Sequence, residues 1–85
     1  MKMIVTEVQG KGLESFLGKK ILLMCGNFFY TGILSGINAT CVLLKDAAIV
    51  YETGEWAGKS YKDAQKLPSD WYVQIAAIES FGAGL

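Results

Sequence analysis

The side chains that could do chemistry in this 85-residue chain are few in kind. All eight basic residues are lysines, and histidine is absent. Without an imidazole, the Ser-His-Asp and Cys-His catalytic arrangements are excluded, as are the common histidine-containing zinc sites. Cys25 and Cys41 are the only cysteines, too few for an all-cysteine tetrahedral zinc site within one chain. Asp46, Glu52, Glu55, Asp63, Asp70 and Glu79 lie in polar or turn contexts, where a carboxylate reads as a solvated charge. No nucleophile with its base can be assembled from this inventory, so neither an enzyme nor a cofactor or metal is expected. The absence of arginine also removes the best bidentate reader of phosphate and guanine. What remains is local and non-covalent. Phe28, Phe29 and Tyr30 could stack on bases, although such a cluster more often serves a core or a subunit interface. Lys59, Lys62 and Lys66 would share one face of a helix beside Tyr61, with Asp63 partly cancelling the patch.

The bulk composition narrows the setting. Hydrophobic residues make up 52% of the chain, mean hydropathy is +0.32, and eight acidic residues balance the lysines to a net charge of 0. A disordered tail is excluded. So is a basic nucleic-acid clamp, because nothing in the bulk charge pulls phosphates from a distance; any RNA binding must be local and no DNA partner is expected. A 9.2 kDa chain has room for one core. Domains of this size hide only about 60–65% of the surface the unfolded chain exposes, so so apolar a chain leaves apolar surface outside. Self-association is the simplest outlet.

The longest apolar runs, 21–25 and 47–51, fall far short of the roughly 18–20 residues that cross a bilayer. Residues 1–8 lack the basic head, apolar stretch and small-residue cleavage site of a secretion signal. The expectation is a cytoplasmic protein with no membrane association. Its two cysteines, set in apolar strand-like runs, then act as small buried hydrophobes rather than as a disulfide framework.

Patterning predicts a mostly β domain over 1–85. Residues 3–8 suit a short strand or extended arm, within an N-terminal arm of 1–12. Leu13, Phe16 and Leu17 recur at helical spacing before Gly18, which predicts a short helix with a glycine stop. Residues 21–25 form the first core strand, closed by the turn dipeptide Gly26-Asn27. Residues 28–37 follow as a bent strand, because Gly32 and Gly36 interrupt an aromatic and β-branched run. One long strand from 40 to 51 carries a kink at Lys45-Asp46. Residues 52–69 hold Gly54, Gly58, the sole proline Pro68 and six of the sixteen charges, and read as a long loop with a helical turn around 61–66. Residues 71–75 and 77–81 are two short closing strands split near Ala76, and 82–85 form a tail. A short helix and five strands with a strong central bend suit a partly open barrel.

Gly18, Ile21, Leu23, Gly26, Tyr30, Gly32, Leu34, Asn38, Cys41 and Leu43 carry a further pattern. In spacing they resemble the first Sm motif, and with the order of elements they make the chain similar to the Sm-like family, which includes LSm and Hfq. The stretches 31–38 and 42–46 look most like the Hfq branch. On this alignment 13–51 is the helix and first motif, 52–69 the variable loop, and 70–81 the second motif. The resemblance implies a homo-oligomeric ring of about five to seven subunits, in which the fourth strand of one chain pairs with the fifth of the next. Trp71, Tyr72, Val73, Ile75, Ala77, Ile78 and Phe81 would then form the subunit interface, and a proline at Val73 should break it by removing an edge donor.

The resemblance also implies binding of U-rich or A-rich single-stranded RNA. Departures from the family matter here. Asn38 stands where the family usually has Asp, Thr40 where it has an aromatic or His that stacks, and Val42 where it has a base-pairing Asn. The Tyr-Lys-His cluster of Hfq aligns with Gln74, Ile75 and Ala76, of which only Gln74 could hydrogen-bond a base. The expected RNA-binding residues are therefore Asn38, Thr40, Gln74 and Lys45. The alternative is a ring that has lost RNA binding and serves as a scaffold, with the loop 52–69 carrying a partner surface.

Overall fold

A computed structural model of the protein describes residues 12–85. The strand or arm expected over 3–8 lies outside them. A short 3₁₀ turn, Gly12–Phe16, opens the described chain in place of the predicted helix. Only five residues separate Gly12 and Gly18, both at positive φ, so the segment has no length in which to build successive α-helical turns. Leu13 and Phe16 from this turn pack against the core.

Six antiparallel strands follow. They are β1 (Lys20–Cys25), β2 (Phe29–Ile37), β3 (Cys41–Glu52), β4 (Asp63–Lys66), β5 (Trp71–Gln74) and β6 (Ile78–Ala83). Their order is β4-β3-β2-β1-β6, with β5 also pairing β3. The long β3 thus serves two strands along one edge. Its first half, Cys41 to Leu44, pairs β5, and its second half, Ala48 to Glu52, pairs β4. The division falls at Lys45-Asp46, where the sequence places a kink. Gly32 alone on β2 stands opposite both Asp46 and Ala47 on β3, since Thr31 pairs Ala48 and Ile33 pairs Lys45. This is a β-bulge, with Asp46 at φ 50 taking the left-handed conformation that adds twist and bend.

The predicted helical turn around 61–66 is not formed. Residues 63–66 are β4 instead, so Lys59, Lys62 and Lys66 do not line a helical face. The segment follows a local sequence preference for charged residues that suits either an exposed helix or an edge strand, and pairing with the open edge of β3 decides between them. Two of the predicted boundaries also move. β5 ends at Gln74, a second 3₁₀ turn covers Ile75–Ala77, and β6 continues through Ala83 into what was expected to be tail.

Alternation along the strands separates two faces. The inner face carries Ile21, Leu23, Leu34, Val42 and Leu44, all fully buried, with Cys25, Ala47 and Val73 completing the core. The outer face carries Leu22, Thr31 and Val50, which are buried too. Part of the cover over that face comes from the segment between β3 and β4. Trp56 shares a small cavity with Leu22, Met24 and Gly82, and the Tyr61 hydroxyl lies 3.4 Å from Thr31 Oγ1.

Candidate functional site

The β2–β3 turn is organised by Asn38. Its side-chain oxygen accepts the backbone N–H groups of Thr40 and Cys41, both at 2.8 Å, and the Thr40 hydroxyl at 3.2 Å. The Asn38 N–H in turn donates to the Cys41 carbonyl at 3.0 Å. Such an Asx arrangement satisfies the polar backbone of a tight turn from within. It leaves the Asn38 amide nitrogen, but not its oxygen, available to a ligand.

Gln74 meets this turn. It pairs with Cys41 across β5 and β3, and the next N–H, that of Ile75, donates to the Thr40 carbonyl at 2.8 Å. Asn38, Thr40 and Gln74 are therefore brought together, and all three are exposed. Lys45 is not part of that group. It lies four residues beyond Cys41 along β3, roughly 13 Å at the usual strand rise, opposite Ile33 and next to the bulge. Pairing partners share a face, so Lys20, Ile33 and Lys45 form a row across β1, β2 and β3. Val42 is fully buried in the core and offers nothing to a ligand.

The expected interface residues divide by the same alternation. Val73 lies in the core of its own chain, and Trp71, Ile75 and Ile78 pack against that core. Tyr72 lies on the other face and is 67% exposed, whereas Phe81, opposite Leu23 on the inner face, is 41% exposed and meets Phe16 edge-on at 6.1 Å between ring centroids; Ala77 is exposed as well. Backbone direction also alternates. Because the Ile75 N–H bonds toward β3, the Val73 N–H does so too, and Tyr72 and Gln74 turn their N–H and C=O groups to the open edge. A proline at Val73 would thus remove a bond inside the chain rather than an edge donor. On β6, the Gly84 N–H donates to Lys20 at 3.0 Å, which places the Phe81 and Ala83 backbone groups at the other open edge.

The sheet's edges differ in character. β4 presents Asp63 and Lys66, a charged and four-residue edge of the kind that resists pairing with another chain. Lys66 makes an exposed ion pair with Asp46, and Lys62, just before the strand, makes one with Glu52, each at 3.5 Å. β5 carries no charge along Trp71–Gln74. Between the β5 edge and the β1–β2 turn lies a groove of about 650 Å³, walled by Phe28, Tyr30 and Trp71 and bearing Asn27, Gln74 and Glu79. Cys25 also borders it, and burial, then the nearby Glu79 carboxylate, push its thiol pKa up from the ordinary 9.0.

Gly58-Lys59-Ser60 ends a glycine-containing stretch in the manner of a phosphate-binding loop, but Gly54 stands one residue too near. It is followed by β4 rather than by a helix whose N-terminus could hold phosphate. Among the described residues, no three His, Cys, Asp or Glu side chains are gathered as a metal ion would need. No helix of the described residues is long and apolar enough to cross a membrane. No family model matches the chain, and no curated protein matches it in sequence.

Proposed function

We propose that this protein is an Sm-like, ring-forming protein of the cytoplasm that binds single-stranded RNA through an altered site. The observation that carries the reading is the pair of open, strand-pairing edges on β5 and β6, set at opposite sides of a sharply bent sheet. The succession of a 3₁₀ turn, three long strands, a variable segment and two short strands joined by a tight turn also accords with that family. An uncharged open edge favours pairing with another copy, and head-to-tail pairing of two different edges closes into a ring.

The pleat limits which side chains could meet. Outer-face residues of β5 and inner-face residues of β6 are the ones whose backbone groups face the open edges. Antiparallel pairing of these edges between copies would set Tyr72 or Gln74 of one beside Phe81 or Ala83 of the next. Light scattering on the purified chain should then give a mass several times 9.2 kDa. Tyr72→Pro, which deletes an outward donor, should reduce it toward that of one chain. A monomeric wild-type protein at tens of micromolar would end the ring assignment.

For RNA, the turn and the outer face of β3 and β5 leave the Gln74 amide, the Asn38 amide nitrogen and Lys45 as contacts. Fluorescence anisotropy with oligo-U and oligo-A should show affinity that falls steeply with added salt and that weakens in Gln74→Ala and Lys45→Ala. The second reading, a ring scaffold without RNA, is favoured by one observation: Val42, at the family's base-pairing position, is sealed in the core. Assembly without salt-dependent RNA binding would select it.

A further inference from the structure

Among the described residues, the groove beside β5 carries formal charge of one sign only. Four aromatic residues, Phe28, Tyr30, Trp71 and Tyr72, line it, the first three forming its walls. Phe28 is 45% exposed and is held edge-on by Tyr51, at 6.1 Å between ring centroids and 88° between planes. That contact fixes the Phe28 ring without covering it. Among the described residues, its polar side-chain groups are the Tyr30 and Tyr72 hydroxyls, the neutral amides of Asn27 and Gln74 and the carboxylate of Glu79, and no lysine lines it. Glu79 reaches toward the β1–β2 turn, where its Oε1 lies 3.8 Å from the point a Cβ on Gly26 would occupy. Its negative charge is also felt at the neighbouring Cys25 thiol.

A phosphate-bearing ligand is disfavoured in such a place, because the one formal charge would repel it. Aromatic faces and a carboxylate together attract a weakly hydrated cation, the rings through their quadrupoles and the carboxylate through its charge. The volume, about 650 Å³, falls in the range of small-molecule sites. We propose that this groove binds a small organic cation of the alkylammonium type, with Glu79 as its counter-ion and Phe28, Tyr30 and Trp71 as its walls. The groove does not include Lys45, but it shares Gln74 with the RNA reading and Tyr72 with the open edge of β5.

The two tryptophans provide an internal control, since Trp71 lines this groove and Trp56 lines the small cavity beside Leu22 and Met24. Choline is the probe, with its uncharged carbon isostere 3,3-dimethylbutan-1-ol as the comparison, each titrated at constant ionic strength into ¹⁵N-labelled protein. The indole N–H signal of Trp71 should shift saturably with choline while that of Trp56 stays in place. Glu79→Gln, an exposed position whose fold the same spectrum verifies, should weaken choline binding about fivefold or more. Equal response to the isostere would reduce the groove to an apolar surface and overturn the proposal. So would the lack of a saturable Trp71 shift at tens of millimolar choline, or unaltered affinity in Glu79→Gln.

Discussion

Gly32 lies against Lys45 so closely that a Cβ at position 32 would stand 2.9 Å from the Lys45 carbonyl oxygen. Leu44 Cβ and Ala47 Cα would be 3.1 and 3.2 Å away, so the obstruction is the β3 backbone itself rather than a side chain that could swing aside. Two strands approach this tightly because the bulge at Asp46 folds β3 over β2. Gly32→Ala must therefore either open the bulge or push the strands apart, at a cost of about 1–3 kcal/mol. Urea unfolding should show the loss, and Gly36→Ala, where the nearest atom would be 3.6 Å away, should cost clearly less. Equal effects at the two glycines would remove the close approach as the reason for glycine at 32.

Asn38 has a structural duty that precedes any role in binding. With three donors converging on one side-chain oxygen, Asn38→Ala leaves the turn's N–H groups to water and should cost about 1–2 kcal/mol. Asn38→Asp keeps an acceptor in the same place and should restore most of that stability. Thermal melts of the two variants check the expectation, and they also guard the RNA experiment. A loss of RNA affinity in Asn38→Ala matched by Asn38→Asp at full stability would locate the lost contact at the amide nitrogen.

The bent sheet was legible in the sequence because its causes are local. Glycine at 32, the Lys45-Asp46 interruption and the unbroken apolar runs each declare themselves within a few residues. β4 was not legible, since DAQK at 63–66 has neither alternation nor β-branched residues and owes its strand form to the waiting edge of β3. The site was legible in part. The resemblance singled out Asn38, Thr40 and Gln74, and pairing of β5 with β3 brings them together, whereas the aromatic groove draws Phe28 and Trp71 together from more than forty positions apart. Nothing in either local segment announces the other. Whether Val73 or Tyr72 turns its N–H outward likewise depends on which bonds β5 makes with β3, and a single sequence does not carry that phase.

The segment between β3 and β4 is fastened to the end of the chain through Tyr61. The Leu85 N–H donates to its hydroxyl at 2.9 Å, and Thr31 Oγ1, which donates to the Ile21 carbonyl at 2.9 Å, lies beside it. Gly84 passes so close to Thr31 and Ile21 that a Cβ there would meet them at 3.0 and 3.1 Å. Tyr61→Phe keeps the ring and deletes the acceptor, so it should cost about 1 kcal/mol at most. Hydrogen exchange localises the effect: the Leu85 amide should exchange faster in Tyr61→Phe while amides in the middle of β2 keep their protection. Unchanged exchange at Leu85 would mean that the hydroxyl does not hold the tail.

Cys25 predicts a pH dependence whose sign can be worked out. Burial, and then Glu79, raise its thiol pKa above 9.0 in the folded protein. The unfolded chain, with an ordinary thiol, therefore loses its proton at lower pH than the folded chain does. Below about pH 9 both states hold the proton and Cys25 contributes no pH dependence. As pH rises past that point the unfolded state is favoured, by up to about 1.4 kcal/mol per pH unit until the folded thiol ionises as well. The informative quantity is the stability difference between wild type and Cys25→Ala. That difference should be constant from pH 7 to 8.5 and should shrink as pH is raised further. Adding Glu79→Gln to both members of the pair lowers the folded thiol's pKa toward 9.0 and should reduce the shrinkage. A difference that stays flat through pH 10 would show that the Cys25 thiol ionises as readily in the folded protein as in the unfolded one.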